Sequence, residues 1–290
     1  MTKKKRLRNK LLPKRRPSSG PGLNSSPAKL PIGVFDSGLG GLTIVREMRR
    51  LLPRESIYYF GDIARLPYGT KSKEQILRFS VENTQFLMKR GIKALVIACN
   101  SSASAAYDFL RRTSDLPVVD VITPAVEEAL RVTRSGNIGV IGTQATVDSE
   151  AYKKALQRKN PRLKVQSVAC PLFVPIVEEG SVPASIQKGM MDHYLNALKR
   201  SGIDTLILGC THYPMLKPAL QSYFGKRVTL VDSARPCVLK LMDHLEKENL
   251  YTPRKTKGHL DVFVSDLPRN FTRLGENFLR EKLHKVQVVR

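Results

Sequence analysis

Several features are scarce or missing in this 290-residue chain, and each absence excludes a class of protein. No apolar run approaches the ~20 residues that a membrane-spanning helix needs. The four cysteines lie far apart without a C-x-x-C pair, which argues against a disulfide framework and against a structural zinc site. We therefore expect reduced thiols in a cytoplasmic protein. A hydrophobic content of 41% suits a globular core, and the length allows two domains.

Acidic residues are missing from the first 30 positions, which hold ten Lys or Arg residues. The rest of the chain has 39 basic and 25 acidic residues, so +14 of the total charge of +24 belongs to the body. Pro, Ser and Gly accompany the basic residues, so we expect residues 1–30 to form a disordered tail. Such a tail has three interpretations: a segment that binds nucleic acid or an anionic surface, a targeting segment, or a solvated extension. The last interpretation is favoured, and no specific nucleic-acid binding is expected.

Three segments of the chain occur twice in the same order. Gly91-Ile-Lys-Ala-Leu-Val-Ile-Ala-Cys99 resembles Gly202-Ile-Asp-Thr-Leu-Ile-Leu-Gly-Cys210, with the cysteines 111 positions apart. Two Ile-Gly-Val strands repeat at a spacing of 106, and two Val-Asp pairs repeat at a spacing of 112. This repetition predicts two similar doubly wound α/β domains that arose by internal duplication. Pseudo-twofold symmetry would place the active site in the cleft between them, at the carboxyl ends of the strands.

The apolar runs predict where the domains begin and end. Runs at 32–35, 57–60, 92–98 and 118–121 are typical of buried strands, as are runs at 138–141, 163–169, 203–209 and 228–231. The second copy is already complete when strands resume near residue 260. We therefore assign residues 31–123 and 237–290 to the first domain and residues 124–236 to the second.

Two cysteines at equivalent strand ends favour acid–base chemistry. A buried cysteine is most often a small apolar filler, and this is our interpretation of the other two cysteines. Cys99 and Cys210 differ because each has a titratable neighbour, Asp36 from an adjacent strand end and His212 two residues further on. Inversion of a stereocentre requires one group to remove a proton from one face and a second group to return one to the opposite face. A duplicated fold with one thiol in each half meets that requirement.

The turn after the first strand, Asp36-Ser-Gly-Leu-Gly-Gly41, is rich in glycine. It lacks the G-x-G-x-x-G spacing and the lysine of nucleotide-binding loops, so its backbone N–H groups suit a carboxylate better. After Cys99, either Ser101 or Ser102 caps a helix, or Ser101 binds a ligand with Asn100, and the sequence leaves both possibilities open. No lysine has a convincing setting for a Schiff base, which argues against a pyridoxal phosphate enzyme.

Several longer motifs resemble those of the aspartate/glutamate racemase family, in order from about Ile32 to the C terminus. They are Asp36-Ser-Gly-Leu-Gly-Gly-Leu-Thr, Pro67-Tyr-Gly-Thr-Lys, Ala98-Cys-Asn, Pro171-Leu-Phe-Val-Pro, Glu178 and Leu208-Gly-Cys-Thr-His-Tyr-Pro. The resemblance implies cofactor-independent interconversion of L- and D-glutamate, with D-glutamate supplied for peptidoglycan synthesis. It also implies that Cys99 and Cys210 are the two acid/bases. Asp36 would assist Cys99, and His212 with Glu178 would assist Cys210.

The resemblance further implies a set of residues that bind the amino acid. They are Asp36, Ser37, Tyr68, Gly69, Asn100, Ser101, Thr211 and His212. Glu179, beside Glu178, is a weaker candidate that is also explained as a solvated acid. The chain departs from the family at Ser101-Ser102, where the family usually has Thr-Ala. Ser101 keeps the hydroxyl, whereas Ser102 adds a polar group near the first thiol.

Some alternatives stay open at this point. An aspartate racemase of the same family would share the two thiols and differ in its pocket. A nucleic-acid-binding protein that uses its basic tail is the alternative from another class, and salt-sensitive binding would reveal it. We expect a homo-oligomer, namely a dimer, although no motif specifies the arrangement of subunits.

Overall fold

The computed structural model describes residues 26–180 and 182–289. Most of the predicted tail, residues 1–25, lies outside these ranges. Residues 26–30 belong to the predicted tail, but they include a 3-10 turn over Pro27–Lys29. The buried ammonium group of Lys93 donates to the carbonyl of Ala28 at 2.8 Å, which attaches this turn to the body. Residues 26–30 are therefore part of the folded body.

The first sheet has six parallel strands in the order β10-β9-β2-β1-β3-β4. The strands are β1 (Ile32–Asp36), β2 (Ile57–Gly61), β3 (Ala94–Ile97), β4 (Val118–Asp120), β9 (Leu260–Val264) and β10 (Val286–Val288). Strands β1 and β3 are buried at every position. This burial explains their continuous apolar runs, since a central parallel strand is covered on both faces.

The second sheet has four parallel strands in the order β6-β5-β7-β8. They are β5 (Asn137–Gly142), β6 (Lys164–Ala169), β7 (Thr205–Gly209) and β8 (Thr229–Val231). The order matches that of β2-β1-β3-β4 in the first sheet, so β3 and β7 occupy equivalent positions. The fold is thus α/β with parallel sheets, and the matching order supports the hypothesis of duplication. The division at residues 123/124 and 236/237 stays a prediction.

Helices connect the strands and cover the sheets. They are α1 (Leu42–Leu51), α2 (Lys73–Lys89), α3 (Asn100–Thr113), α4 (Ile122–Val132), α5 (Gln144–Asp148), α6 (Ala151–Lys159), α7 (Phe173–Glu179), α8 (Ala184–Arg200), α9 (Lys217–Phe224), α10 (Ala234–Lys247) and α11 (Phe271–Leu279). In the described part of the chain, none of these is long and apolar enough to cross a membrane.

Local sequence explains several helix boundaries. Helix α2 begins where the Ser72 hydroxyl accepts from the N–H of Gln75 at 3.3 Å, as the capping pattern predicts. Helix α1 buries Leu42, Val45 and Met48 on one face. Helix α7 follows β6 in the chain. It contains a proline, but that proline is the third helical residue, where its missing N–H is tolerated.

Candidate active site

The two cysteines that follow the equivalent strands lie at the carboxyl ends of the two sheets. Cys99 follows β3 after one alanine and is the N-cap residue of α3. Cys210 directly follows β7. Their side chains are only 5% and 6% exposed, respectively. Parallel sheets bind ligands at this edge, so both thiols lie where a substrate is expected.

Asp36 lies at the carboxyl end of β1, next to β3 in the sheet, and is completely buried. Its carboxylate accepts from the N–H of Gly38 at 2.9 Å. Burial raises the pKa of Asp36, while the His212 charge and the N–H groups of the glycine-rich turn oppose the increase. The turn therefore holds a carboxyl group whose proton affinity is higher than that of an exposed aspartate.

Cys99 is surrounded by groups that affect its proton differently. Its Sγ donates to the Ser37 hydroxyl at 3.5 Å. Burial and then the negative charge of Asp36 raise the pKa of Cys99 to about 11, although the N–H and hydroxyl of Ser102 and the hydroxyl of Ser37 lower it. Cys99 is therefore a neutral thiol at physiological pH before substrate binds. A nearby carboxylate fits a thiol that must receive and release a proton.

Cys210 has a cationic neighbour instead. Its Sγ lies 4.0 Å from Nδ1 of His212, and Nε2 of His212 lies 2.9 Å from Oε1 of Glu178 on α7. Burial lowers the pKa of His212, but the contacts with Cys210 and Glu178 outweigh it and raise the pKa to about 10. His212 is thus an imidazolium at neutral pH. Cys210 therefore has a neighbour that can exchange a proton with it.

The glycine-rich turn of the first sheet contacts the Cys210 loop of the second sheet. A Cβ atom added to Gly40 would lie 2.1 Å from Oγ1 of Thr211 and 2.6 Å from Nδ1 of His212. The Thr43 hydroxyl is 3.4 Å from the carbonyl of Thr211. Only glycine permits such a close approach, so the glycines bring the two loops together.

The first turn of α3 presents two more polar side chains that the sequence identified. Asn100 Oδ1 accepts from the Tyr152 hydroxyl at 2.7 Å, while its buried Nδ2 has no hydrogen-bond partner among residues 26–180 and 182–289. The Ser101 hydroxyl lies 2.9 Å from the hydroxyl of Thr143, which follows β5. Asn100 therefore has a free donor, and Ser101 links the two sheets.

Tyr68 and Gly69 belong to a loop beside Cys99. The Tyr68 hydroxyl donates to the buried carboxylate of Asp62 and accepts from the Asn83 amide at 3.1 Å. Its ring belongs to the same apolar cluster as Cys99. A Cβ atom on Gly69 would approach that of Thr143 to 2.8 Å. The loop therefore contacts Thr143 at the end of the second sheet. The Tyr68 hydroxyl is hydrogen-bonded to residues of the first half of the fold.

Several residues of the site escaped the sequence analysis. Tyr152 contacts Asn100, and Thr146 lies 3.4 Å from the Ser101 hydroxyl, both across distant segments. Asp62 accepts from Tyr68, six positions further on. No local pattern identifies these pairs. Thr143 had a usable signal, because Ile138-Gly-Val-Ile-Gly-Thr143 repeats the segment that ends in Asp36-Ser37. Glu179 is exposed, in agreement with a solvated acid.

The remaining two cysteines contribute to the core. Cys170 and Cys237 are completely buried. Like both thiols of the site, they form no disulfide in the described part of the chain. Burial raises the pKa of each of these two thiols. Within the described ranges, no three His, Cys, Asp or Glu side chains are grouped so that they could hold a metal ion.

Comparison with known proteins identifies the family. Residues 32–239 match the family described as Asp/Glu/Hydantoin racemase. The glutamate racemase of Geobacter metallireducens is 47% identical over 258 residues, which cover 89% of this chain and 96% of that protein. The crystal structure of the Francisella tularensis glutamate racemase in complex with D-glutamate has a TM-score of 0.86 at 39% identity, covering 91% of this chain and 98% of that one. The Thermus thermophilus glutamate racemase in complex with β-chloro-D-alanine has a TM-score of 0.81 at 43% identity, covering 90% and 97%. This chain belongs to the Asp/Glu/hydantoin racemase family.

Proposed function

We propose that this protein is a glutamate racemase that interconverts L- and D-glutamate without a cofactor and supplies D-glutamate for peptidoglycan synthesis. One observation supports the chemistry most directly. Cys99 and Cys210 follow equivalent strands, and each has its own proton-handling neighbour, Asp36 for Cys99 and His212 for Cys210. The choice of glutamate rests on the relatives that are named glutamate racemases.

In the proposed reaction the two sulfurs act on opposite faces of Cα. One thiolate accepts the Cα proton, so an S–H bond forms as the Cα–H bond breaks. The electron pair of that bond passes into the α-carboxylate, which becomes an enediolate. The opposite thiol then gives its proton to the other face of Cα. Each turnover leaves the two sulfurs with exchanged protonation states, and the reverse reaction restores them.

The growing charge on the α-carboxylate needs donors that are already in place. The free Nδ2 of Asn100 and the first N–H groups of α3 supply them, since the N-terminus of a helix favours an anion. The proposed substrate-binding set is the one that the family resemblance implies: Asp36, Ser37, Tyr68, Gly69, Asn100, Ser101, Thr211 and His212. In this proposal Tyr68 contributes its ring and backbone, because its hydroxyl already bonds to Asp62.

Circular dichroism with each enantiomer tests the proposal. The signals of L-glutamate and of D-glutamate should both decay to zero without an added cofactor. If only the signal of aspartate decays, the substrate is aspartate and the two-thiol mechanism still applies. Constant signals with both amino acids would refute the proposed function. Cys99→Ser and Cys210→Ser should each lower the rate by at least about 10³-fold. Cys237→Ala is the matched control, because this thiol is buried in the core.

The equal free energies of the enantiomers add a strict requirement. The values of kcat/KM for L- and D-glutamate must be equal in the wild type and in every variant, even when kcat and KM change separately. A variant whose two values differ would have a second reaction.

We also propose that the enzyme works in the cytoplasm as a homodimer. Sedimentation equilibrium tests the subunit number.

A further inference from the structure

The hydroxyl of Ser102 is an unsatisfied polar group in the interior. The residue is completely buried, and its Oγ has no hydrogen-bond partner in the described part of the chain. The neighbouring Ser101 hydroxyl, by contrast, lies 2.9 Å from Thr143 Oγ1. Leaving a buried hydroxyl unpaired costs about 1–3 kcal/mol, so such a group requires an explanation.

The position of Ser102 in α3 directs attention to Cys99. Cys99 is the N-cap residue, and Ser102 is the third residue of the helix. In this arrangement the N–H of the third residue points back towards the N-cap side chain, and a polar side chain at the third position turns back towards the N-cap residue. Accordingly, both the N–H and the hydroxyl of Ser102 lower the pKa of the Cys99 thiol.

The two thiols also differ in the charges around them. The Cys210 sulfur lies 4.0 Å from His212, which is cationic at neutral pH. The charged neighbour that most affects Cys99 is Asp36, whose negative charge opposes ionisation of the thiol. A thiolate at Cys99 must therefore be stabilised by neutral hydrogen-bond donors and by the N-terminus of α3.

We propose that the Ser102 hydroxyl is a hydrogen-bond donor reserved for the Cys99 thiolate. While Cys99 is a thiol, its proton is directed to Ser37 and the Ser102 hydroxyl stays unpaired. When Cys99 has given up its proton, rotation of the Ser102 O–H towards the sulfur pairs the hydroxyl. No covalent bond changes in this step. The role of this hydrogen bond in turnover rests on the proposed racemase function. The stabilisation of the Cys99 thiolate does not.

Replacement of Ser102 by alanine distinguishes this role from a purely structural one. Removal of an unpaired buried hydroxyl should leave the thermal stability unchanged or raise it, because the variant no longer buries an unsatisfied group. The same change should make the Cys99 thiolate less stable. Stability and thiol reactivity are therefore expected to move in opposite directions.

The test is alkylation of the substrate-free enzyme by iodoacetamide, with each cysteine followed by mass spectrometry between about pH 8 and 10. In this range the rate is proportional to the thiolate fraction. Ser102→Ala should slow alkylation of Cys99 by about three- to tenfold, since the lower thiolate fraction is partly offset by higher nucleophilicity. Alkylation of Cys210 should not change.

Ser104→Ala is the matched control. Ser104 lies on the same helix, but its hydroxyl donates to the carbonyl of Ser101 at 2.9 Å. This variant should alkylate at the wild-type rate. An unchanged Cys99 rate in Ser102→Ala, or equal slowing of Cys210, would overturn the proposal. Failure of the wild type to racemise glutamate would refute the proposed function alone, because the alkylation assay needs no turnover.

Discussion

The hydroxyl of Thr211 donates to the carboxylate of Asp36 at 3.5 Å, which joins the loop after β7 in one sheet to the end of β1 in the other. The same carboxylate raises the pKa of Cys99. Asp36 therefore contacts the Cys210 loop and acts on the other thiol. A change at this single carboxyl group should affect both halves of the proposed reaction.

Asp36→Asn removes the charge and keeps an oxygen that can accept from the N–H of Gly38. The fold should persist, while kcat falls by about 10²–10³-fold because the proton-handling group next to Cys99 is lost. Steady-state kinetics and circular dichroism of the backbone measure the two effects. Activity close to that of the wild type would show that Asp36 has only a structural role.

Glu178→Gln tests the support that His212 receives from α7. The loss of the carboxylate charge should lower the pKa of His212 from about 10, so the alkaline limit of activity should move to lower pH. A decrease in kcat of about ten- to hundredfold is expected, smaller than for loss of a direct acid/base. Glu179→Gln, on the exposed side of the same helix, is the control and should retain activity and pH profile.

His212 also predicts how stability depends on pH. Its pKa is about 10 in the folded protein and 6.5 in the unfolded reference. The resulting stabilisation is complete below about pH 6.5 and is lost as the pH rises through about 10. Urea unfolding of the wild type and of His212→Asn should therefore differ most near pH 6.5 and converge towards pH 10. A difference that grows with pH would contradict the assigned direction.

Gly40→Ala should disrupt the contact between the two loops. The new methyl group would lie 2.1 Å from Oγ1 of Thr211, so the turn or the Cys210 loop must move. A loss of activity of at least about 10²-fold is expected, since small displacements of catalytic groups have effects of this size. Gly189→Ala is the control, because Gly189 lies at an exposed position of α8 and its new Cβ would meet no neighbouring atom within 4 Å. It should retain activity and gain about 0.5–1 kcal/mol of stability.

Asn100→Asp removes the unpaired Nδ2 donor and adds a negative charge near the proposed carboxylate site. The Tyr152 hydroxyl can still donate to the new side chain, so the fold should be retained. KM for both enantiomers should rise about ten- to hundredfold, because a hydrogen bond to a charged group is lost. Tyr152→Phe keeps the Nδ2 donor and should change KM less. An equal increase in both variants would argue against direct binding by Asn100.

Much of this arrangement could be predicted from the sequence because it depends on strand ends. Cys99, Cys210 and Asp36 each lie at or just beyond the carboxyl end of a strand, and the apolar runs locate these strands within about two residues. The repeated cysteine segment predicts equivalent positions in two sheets, and the strand orders agree with it. Periodicity and position along the strand were sufficient here.

The rest depends on contacts between segments that are far apart in the sequence. The bond from Tyr152 to Asn100 spans 52 positions, and the Thr211–Asp36 bond spans 175. No periodicity encodes such pairs. The Tyr68 hydroxyl donates to Asp62, which is only six positions away, and no motif identifies this acceptor either. Tertiary packing, rather than local preference, determines these details.

The first sheet takes β9 and β10 from the C-terminal end of the chain, beyond all strands of the second sheet. During synthesis the second sheet therefore has every strand available while the first still lacks two. Until residues 260–264 emerge, β2 is an unpaired edge, and the backbone that later bonds to β9 is open to other chains. Strand β9 thus protects a nascent edge, and a chain terminated before β9 should aggregate even though both thiols and their neighbours are already present.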